Sequence, residues 1–202
     1  MNNITTFLTG LTALVVAVYS LIVSLKKVKK EVEETLPSKI KKQSNSDIEI
    51  INMMEFTKEI LNADRVQVYD FHNGGHYANG RSALKTSCTY EVARAGIKKY
   101  QRELQAIPLS CIPHFIDSLL TNNKLEVNDL EKIKETMPAT YGLKNEEGIK
   151  AFYDVVLENA DGEPIGFLGV QYTTSTHLKF TEKEKTEILK LKFFIEEKLL
   201  KK

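Results

Sequence analysis

The sequence predicts an α+β domain carried behind a single membrane-spanning helix. Three observations predict it. An uncharged run, Ile4 to Leu25, opens the chain. Two strand-like runs joined through Asp161-Gly162 make a hairpin over Ile149 to Tyr172. Helical patterns bracket the strands, Asp47 to Asn62 on one side and a run from Thr181 on the other. The 202 residues suit one such membrane helix and one domain of about 150 residues. The expected division is residues 1–25 as anchor, 26–46 as a basic juxtamembrane helix and linker, and 47–202 as the domain.

At a rise of about 1.5 Å per residue, Ile4 to Leu25 covers about 33 Å, enough for a bilayer core. No Lys or Arg precedes it, and it is longer than the apolar core of a signal peptide. Lys26, Lys27, Lys29 and Lys30 follow at once. By the positive-inside rule this predicts a single-pass protein with its C-terminal domain in the cytoplasm. Val28, Val32 and Leu36 form a narrow stripe suited to pairing with a second copy. Pro37 is expected to end that helix, and Ser38 to Ser46 to form the linker.

Asp47 is the expected N-cap of the next helix, whose broad apolar side follows Ile51, Met54, Lys58 and Leu61 and fails at one position, the lysine. Arg65 to Phe71 alternates like a strand, with Val66 and Val68 on one face and Gln67, Tyr69 and Phe71 on the other. A polar, glycine-rich loop then runs to Arg81. Thr86 to Ala93 is a second strand. Ile97 to Ala106 reads as helical, Ile107 to Leu109 as extended, and Pro113 to Leu120 as a short helix. Leu125 to Val127 is a short strand, with a capped helix after Asn128 or Asp129. Met137 to Glu147 reads as irregular. The last helix opens with Thr181 and Glu184 at capping-box spacing.

This order, and above all IKAFYDVVLENADGEPIGFLGVQY followed by TEKEKTEILKLKFFIEEKLL, resembles the GAF domain, a relative of the PAS fold. The resemblance spans Asp47 to Lys202. It implies an antiparallel sheet with helices on one face and a small-molecule pocket on the other. Many GAF-like domains bind cyclic nucleotides, chromophores or small metabolites, and others serve in dimerisation. The resemblance supplies no ligand for FHNGG and no chromophore-attachment context around Cys88 or Cys111, so the cofactor stays open.

The formal net charge of +1 argues against a nucleic-acid partner. Cys88 and Cys111 have neither metal-ligand spacing nor a disulfide framework. The residues richest in chemistry lie between Asp70 and Lys85. Gly74, Gly75 and Gly80 free backbone N–H groups for an anion, and Arg81 and Lys85 supply positive charge. Asn73 and Asn79 offer polar edges, and Tyr77 offers a face for stacking. Asp70, His72 and His76 are the alternative, a metal set lacking a further ligand. A third reading leaves these residues completing turns. Cys88 with His72 or His76 lacks the spacing of an activated nucleophile, so no catalytic set is expected.

The functional expectation is a membrane-anchored sensory or small-molecule-binding module, forming a homodimer and binding a nucleotide or other anion. The chain ends with the domain's last helix, so its signal is expected to pass to a separate protein. The alternative is a membrane-tethered scaffold that dimerises and recruits a protein partner.

Overall fold

Six antiparallel strands form one sheet in the order β3-β2-β1-β6-β5-β4. They are β1 (Arg65–His76), β2 (Ser82–Ala93), β3 (Ile107–Pro108), β4 (Lys124–Val127), β5 (Ala151–Glu158) and β6 (Pro164–Tyr172). The helices are α1 (Leu36–Ile60), α2 (Pro113–Asn122), α3 (Pro138–Glu146) and α4 (Glu182–Leu200). The structure, a computed structural model, describes residues 17–23, 36–173 and 179–200. Residues 17–23 are helical; the rest of the Ile4–Leu25 run and the basic stretch after it lie outside the described residues. Among the described residues, no helix is long and apolar enough to cross a membrane. Contacts divide the chain into two compact units, Met1–Asn45 and Ser46–Lys202.

The expected linker is instead helix. α1 begins at Leu36 and runs unbroken through Ser38–Ser46 and past Asp47, which is therefore no N-cap. Pro37 sits in the first turn, where its missing N–H has no intrahelical partner to lose. The buried side of α1 is Ile50, Met54 and Thr57, and Ile51 is exposed, so the true stripe starts one residue before the expected one. Lys58, the position at which the expected apolar stripe fails, is nonetheless buried, with its ammonium paired to Glu55 and Glu59.

Alternation along the strands builds two cores. Val66, Val68, Val92, Tyr153, Leu168 and Val170 pack against Ile50 and Met54 of α1 and Ile188, Leu191 and Ile195 of α4. Tyr69, Phe152, Val156 and Phe167 point the other way, against Phe115 and Leu119 of α2 and the apolar residues around the Leu130–Ile133 turn. Both faces of β1 and β5 are therefore covered. A bulge between Val68 and Tyr69 leaves Thr89 unmatched on β2, because Val68 pairs with Tyr90 and Tyr69 with Cys88.

The hairpin and the last helix form as the sequence predicts. Asn159 Oδ1 accepts from the N–H groups of Asp161 and Glu163 at 3.0 and 2.9 Å, and Gly162 takes φ +78° at the tip. Glu184 N–H donates to Thr181 Oγ1 at 3.3 Å, and Thr181 N–H to Glu184 Oε2 at 2.7 Å. Two segments differ from expectation. Ile97 to Ala106 is a series of turns, fixed by backbone and side-chain bonds from Tyr100, Gln101 and Gln105 to β2 residues. Pro138 to Glu146 is helix α3, opened by a proline in its first turn and held to the domain by its buried Thr140 and Lys144. The turn Leu130–Ile133 is a single 3-10 turn capped by Asp129, whose Oδ1 accepts from Glu131 N–H.

Gly166 lies opposite Asp70, and a Cβ there would collide with the carbonyl oxygen of Tyr69. Gly166→Ala is expected to lower stability by about 1–3 kcal/mol, read from urea unfolding.

Candidate functional site

β1 pairs with β6 only as far as Asp70, but with β2 as far as His76. Beyond Asp70 the two strands therefore form an arm with no sheet neighbour on the β6 side. The segment expected to be a loop is largely strand, and only residues 77–81 turn. Asp70, His72 and Lys85 lie at paired or alternate positions of this arm, with Asp70 opposite Ser87 and His72 opposite Lys85. Burial raises the Asp70 carboxyl, and the adjacent His72 pulls it back. His72 Nε2 lies 2.9 Å from Ser87 Oγ, and Ser87 Oγ accepts from Ala106 N–H at 2.8 Å. Ser87 completes this group and stands outside the residues the sequence singles out; its sequence signal is its alternation with Lys85 on one strand.

The other predicted residues shape the arm. Asn73 Oδ1 accepts from Gly75 N–H at 3.0 Å and Asn79 Oδ1 from Arg81 N–H at 3.1 Å. Arg81 sits over the Tyr77 ring at 5.1 Å, and Tyr77 Oη lies 3.1 Å from Ser110 Oγ. Gly74 is backed by the Lys85 stem, leaving no room for a Cβ, and Gly75 takes φ +106°. His76 is exposed at the end of the strand. Among the described residues, no three His, Cys, Asp or Glu side chains gather where they could hold a metal. At the base of the arm, His72 and Asn73 border an open groove of about 340 Å³ with Phe71, Leu84, Leu109, Leu120 and Pro164.

A second site is buried on the face away from α1 and α4. Arg65, only 1% exposed, forms ion pairs with Glu91 and Glu147, both at 3.1 Å, and donates to Gln171 Oε1 at 3.1 Å and Lys98 O at 2.7 Å. Gln67 donates to Glu91 at 3.0 Å and accepts from Tyr69 Oη at 2.9 Å and Gln171 Nε2 at 2.6 Å. Glu91 Oε2 also accepts from the N–H groups of Tyr100 and Gln101, at 2.8 and 2.7 Å. Asp154 is fully buried beside Lys144 at 3.9 Å, and neither of its oxygens has a hydrogen bond. Burial pushes its carboxyl up to about 6, against the opposing pull of Lys144. Gly169, opposite Asp154, leaves the space its Oδ1 occupies.

α3 roofs this polar belt, since Lys144 and Glu147 reach down to Asp154 and Arg65. Beneath the roof is a cavity of about 40 Å³. Tyr69, Thr86 and Phe167 line it from the sheet, Phe115 of α2 and its N-cap Ile112 from one side, and Thr140, Leu143 and Lys144 of α3 with its C-cap Glu147 from above. Thr86 Oγ1 is buried without a hydrogen-bond partner. Cys88 lies in the same core, and burial pushes its thiol far above the usual range, so it is no thiolate. This site carries no local sequence signal, because its residues come from β1, β2, β5, β6, the 98–115 stretch and the 138–147 segment, the last of which the sequence predicts as irregular.

No protein-family model matches the chain, and no curated protein matches it. Solved structures do. The blue-light-absorbing PixJ GAF domain of Thermosynechococcus elongatus superposes with a TM-score of 0.60 at 14% identity, over 77% of this chain and 88% of that one. The GAF domain region of a putative membrane protein from Geobacter sulfurreducens gives 0.57 at 19%, over 79% and 96%. The phycocyanobilin-bound GAF domain of a cyanobacterial phytochrome gives 0.59 at 14%, over 81% and 88%. The fold is that of GAF domains.

Two predictions follow from the belt. Arg65→Leu strands Glu91 and Glu147 and is expected to cost about 3–5 kcal/mol in chemical denaturation. The Asp154 carboxyl is raised on folding from an ordinary value near 4, so its ionisation opposes folding at neutral pH. Relative to Asp154→Asn, the wild-type chain should gain about 2 kcal/mol as pH falls from about 6 to about 4, read by unfolding across that range.

Proposed function

We propose that the chain is a sensory module, held at a membrane by its N-terminal apolar run, whose GAF-like domain binds a small molecule on the cytoplasmic side. The observation that carries this reading is the cavity beneath α3, on the sheet face opposite the two long helices. Its apolar walls converge on a few polar groups, the usual character of a small-molecule site. The GAF fold supports the same reading, and one structural neighbour is described as part of a membrane protein. At about 40 Å³ the cavity is far smaller than the roughly 300–1,000 Å³ of a drug-sized site. A nucleotide or a tetrapyrrole therefore does not fit it with α3 in place. The arm is the place for an anion: Lys85, His72 and the Ser87 hydroxyl lie together there, with Arg81 at the tip. Binding at either place would act by favouring one arrangement of the domain over another.

The test is thermal unfolding of the full chain in detergent, with nucleotides and inorganic phosphate in the panel. A ligand at about 100 times its Kd adds roughly 2.7 kcal/mol. A shift from phosphate or a nucleotide that disappears in Lys85→Ala assigns the arm; a shift unaffected by that variant takes the anion elsewhere. A reporter fused after Lys202 is expected on the cytoplasmic side, and a reporter signal from the opposite side overturns the orientation.

A second reading, a tethered scaffold that dimerises and recruits a protein, is favoured by exposed apolar surface. Leu84 and Leu120, 51% and 38% exposed, flank the groove at the base of the arm, and Phe193 is 62% exposed on α4. Sedimentation of the full chain is expected to show a dimer that Phe193→Asp weakens; a monomer at all concentrations removes dimerisation from this reading.

A further inference from the structure

The cavity beneath α3 has a chemical character that narrows what enters it, and this inference rests on the reading that the cavity is the small-molecule site. Leu104, Ile112, Phe115, Leu143 and Phe167 make most of its wall. The two charged residues that line it are already matched: Glu147 with Arg65 at 3.1 Å, and Lys144 with Asp154 at 3.9 Å. Around them the buried set holds three carboxylates, on Glu91, Glu147 and Asp154, against two cations, Arg65 and Lys144. An anionic ligand would add a fourth negative charge to a group already in excess, out of reach of water. A cationic ligand would meet Lys144 on the wall, whereas Asp154, whose oxygens lack hydrogen bonds, is not among the lining residues. Among the described residues, Thr86 Oγ1 is the lining polar atom that is fully buried without a hydrogen-bond partner. A hydroxyl in that state lowers the stability of the fold until a partner reaches it.

We propose that the cavity takes a small neutral apolar molecule bearing one hydroxyl or carbonyl group, which completes the hydrogen bonding of Thr86. The size of the space sets the scale. An engineered apolar cavity of about 150 Å³ holds benzene, so about 40 Å³ accepts a ring only if α3 gives way. α3 begins at a proline and is followed by Gly148 at φ +75°, so both of its ends are turns rather than continuing helix.

The probes are phenol, benzene, benzoate and benzylamine, compared by calorimetry and thermal unfolding on the full chain in detergent. Phenol is expected to bind most tightly. Thr86→Val should weaken phenol about tenfold and leave benzene unchanged, and without ligand it should be as stable as the wild type or more so. Leu143→Trp, which fills the cavity, should abolish phenol binding. Tighter binding of benzoate or benzylamine, lost in Leu143→Trp, overturns the neutral class while leaving the cavity as the site. Phenol binding that survives Leu143→Trp, or is equal in Thr86→Val, overturns the assignment to Thr86. A clear loss of stability in unliganded Thr86→Val overturns it too, because the hydroxyl would already be satisfied. No binding by any of the four overturns both the class and the small-molecule reading of the cavity.

Discussion

The Arg65 guanidinium is the interaction on which the rest of the domain depends. It lies at the first residue of the central strand β1, buried, and it contacts β2 through Glu91, the end of α3 through Glu147, β6 through Gln171 and the 97–106 segment through the Lys98 carbonyl. A buried cation is tolerated only where paired charges and hydrogen bonds replace its water. Arg65 thus requires four parts of the chain to assemble together. Glu91 repeats the demand, since it also accepts from the backbone of Tyr100 and Gln101. The polar belt fixes how the segments over this face are placed, while the apolar contacts around it supply the driving force.

This explains why one face of the sheet was easier to read than the other. The face under α1 and α4 is apolar and served by helices with regular patterns, and Ile188, Leu191 and Ile195 announce themselves by spacing. The hairpin at Asp161-Gly162 and the capping box at Thr181 are local, so a few adjacent residues suffice to specify them. The other face is covered by 97–106 and by α3, whose conformations depend on partners far away in sequence. Ile97 to Ala106 has helix-compatible residues but is held in turns by bonds to β2. α3 contains Gly142 and few apolar residues, yet it is fixed by its ion pairs to β1 and β5. The run through Ser38–Ser46 misled in the opposite direction: it is polar enough for a linker, but apart from Pro37 near its start it contains no residue that breaks a helix.

The site was legible in the same uneven way. The arm between Asp70 and Lys85 stands out because its glycines, asparagines and histidines are consecutive. The structure keeps Asp70, His72 and Lys85 together and adds Ser87, while Asn73, Asn79 and Arg81 are engaged in shaping the turn. The cavity under α3 gave no such signal. Tyr69, Thr86, Lys144 and Glu147 are ordinary residues in sequence, and only the sheet register and the position of α3 bring them to one space.

The bulge at Thr89 ties these two places to each other. It takes up one extra residue in β2 and keeps the two strands in register beyond it, so that Glu91 and Cys88, three residues apart, share one face, and Ser87 falls beside His72. Removing one residue at the bulge would straighten β2 and leave the pairs from Ser82 to Cys88, and the faces they take, unchanged. An extra residue between Thr86 and Cys88 that no bulge absorbed would instead turn Thr86 out of the cavity and Lys85 toward the apolar core, and so dismantle both sites. Change in the length of the chain is therefore tolerable here at the bulge and at the tip, residues 77–81, and the arm can lengthen or shorten at its tip over time without altering anything beneath it.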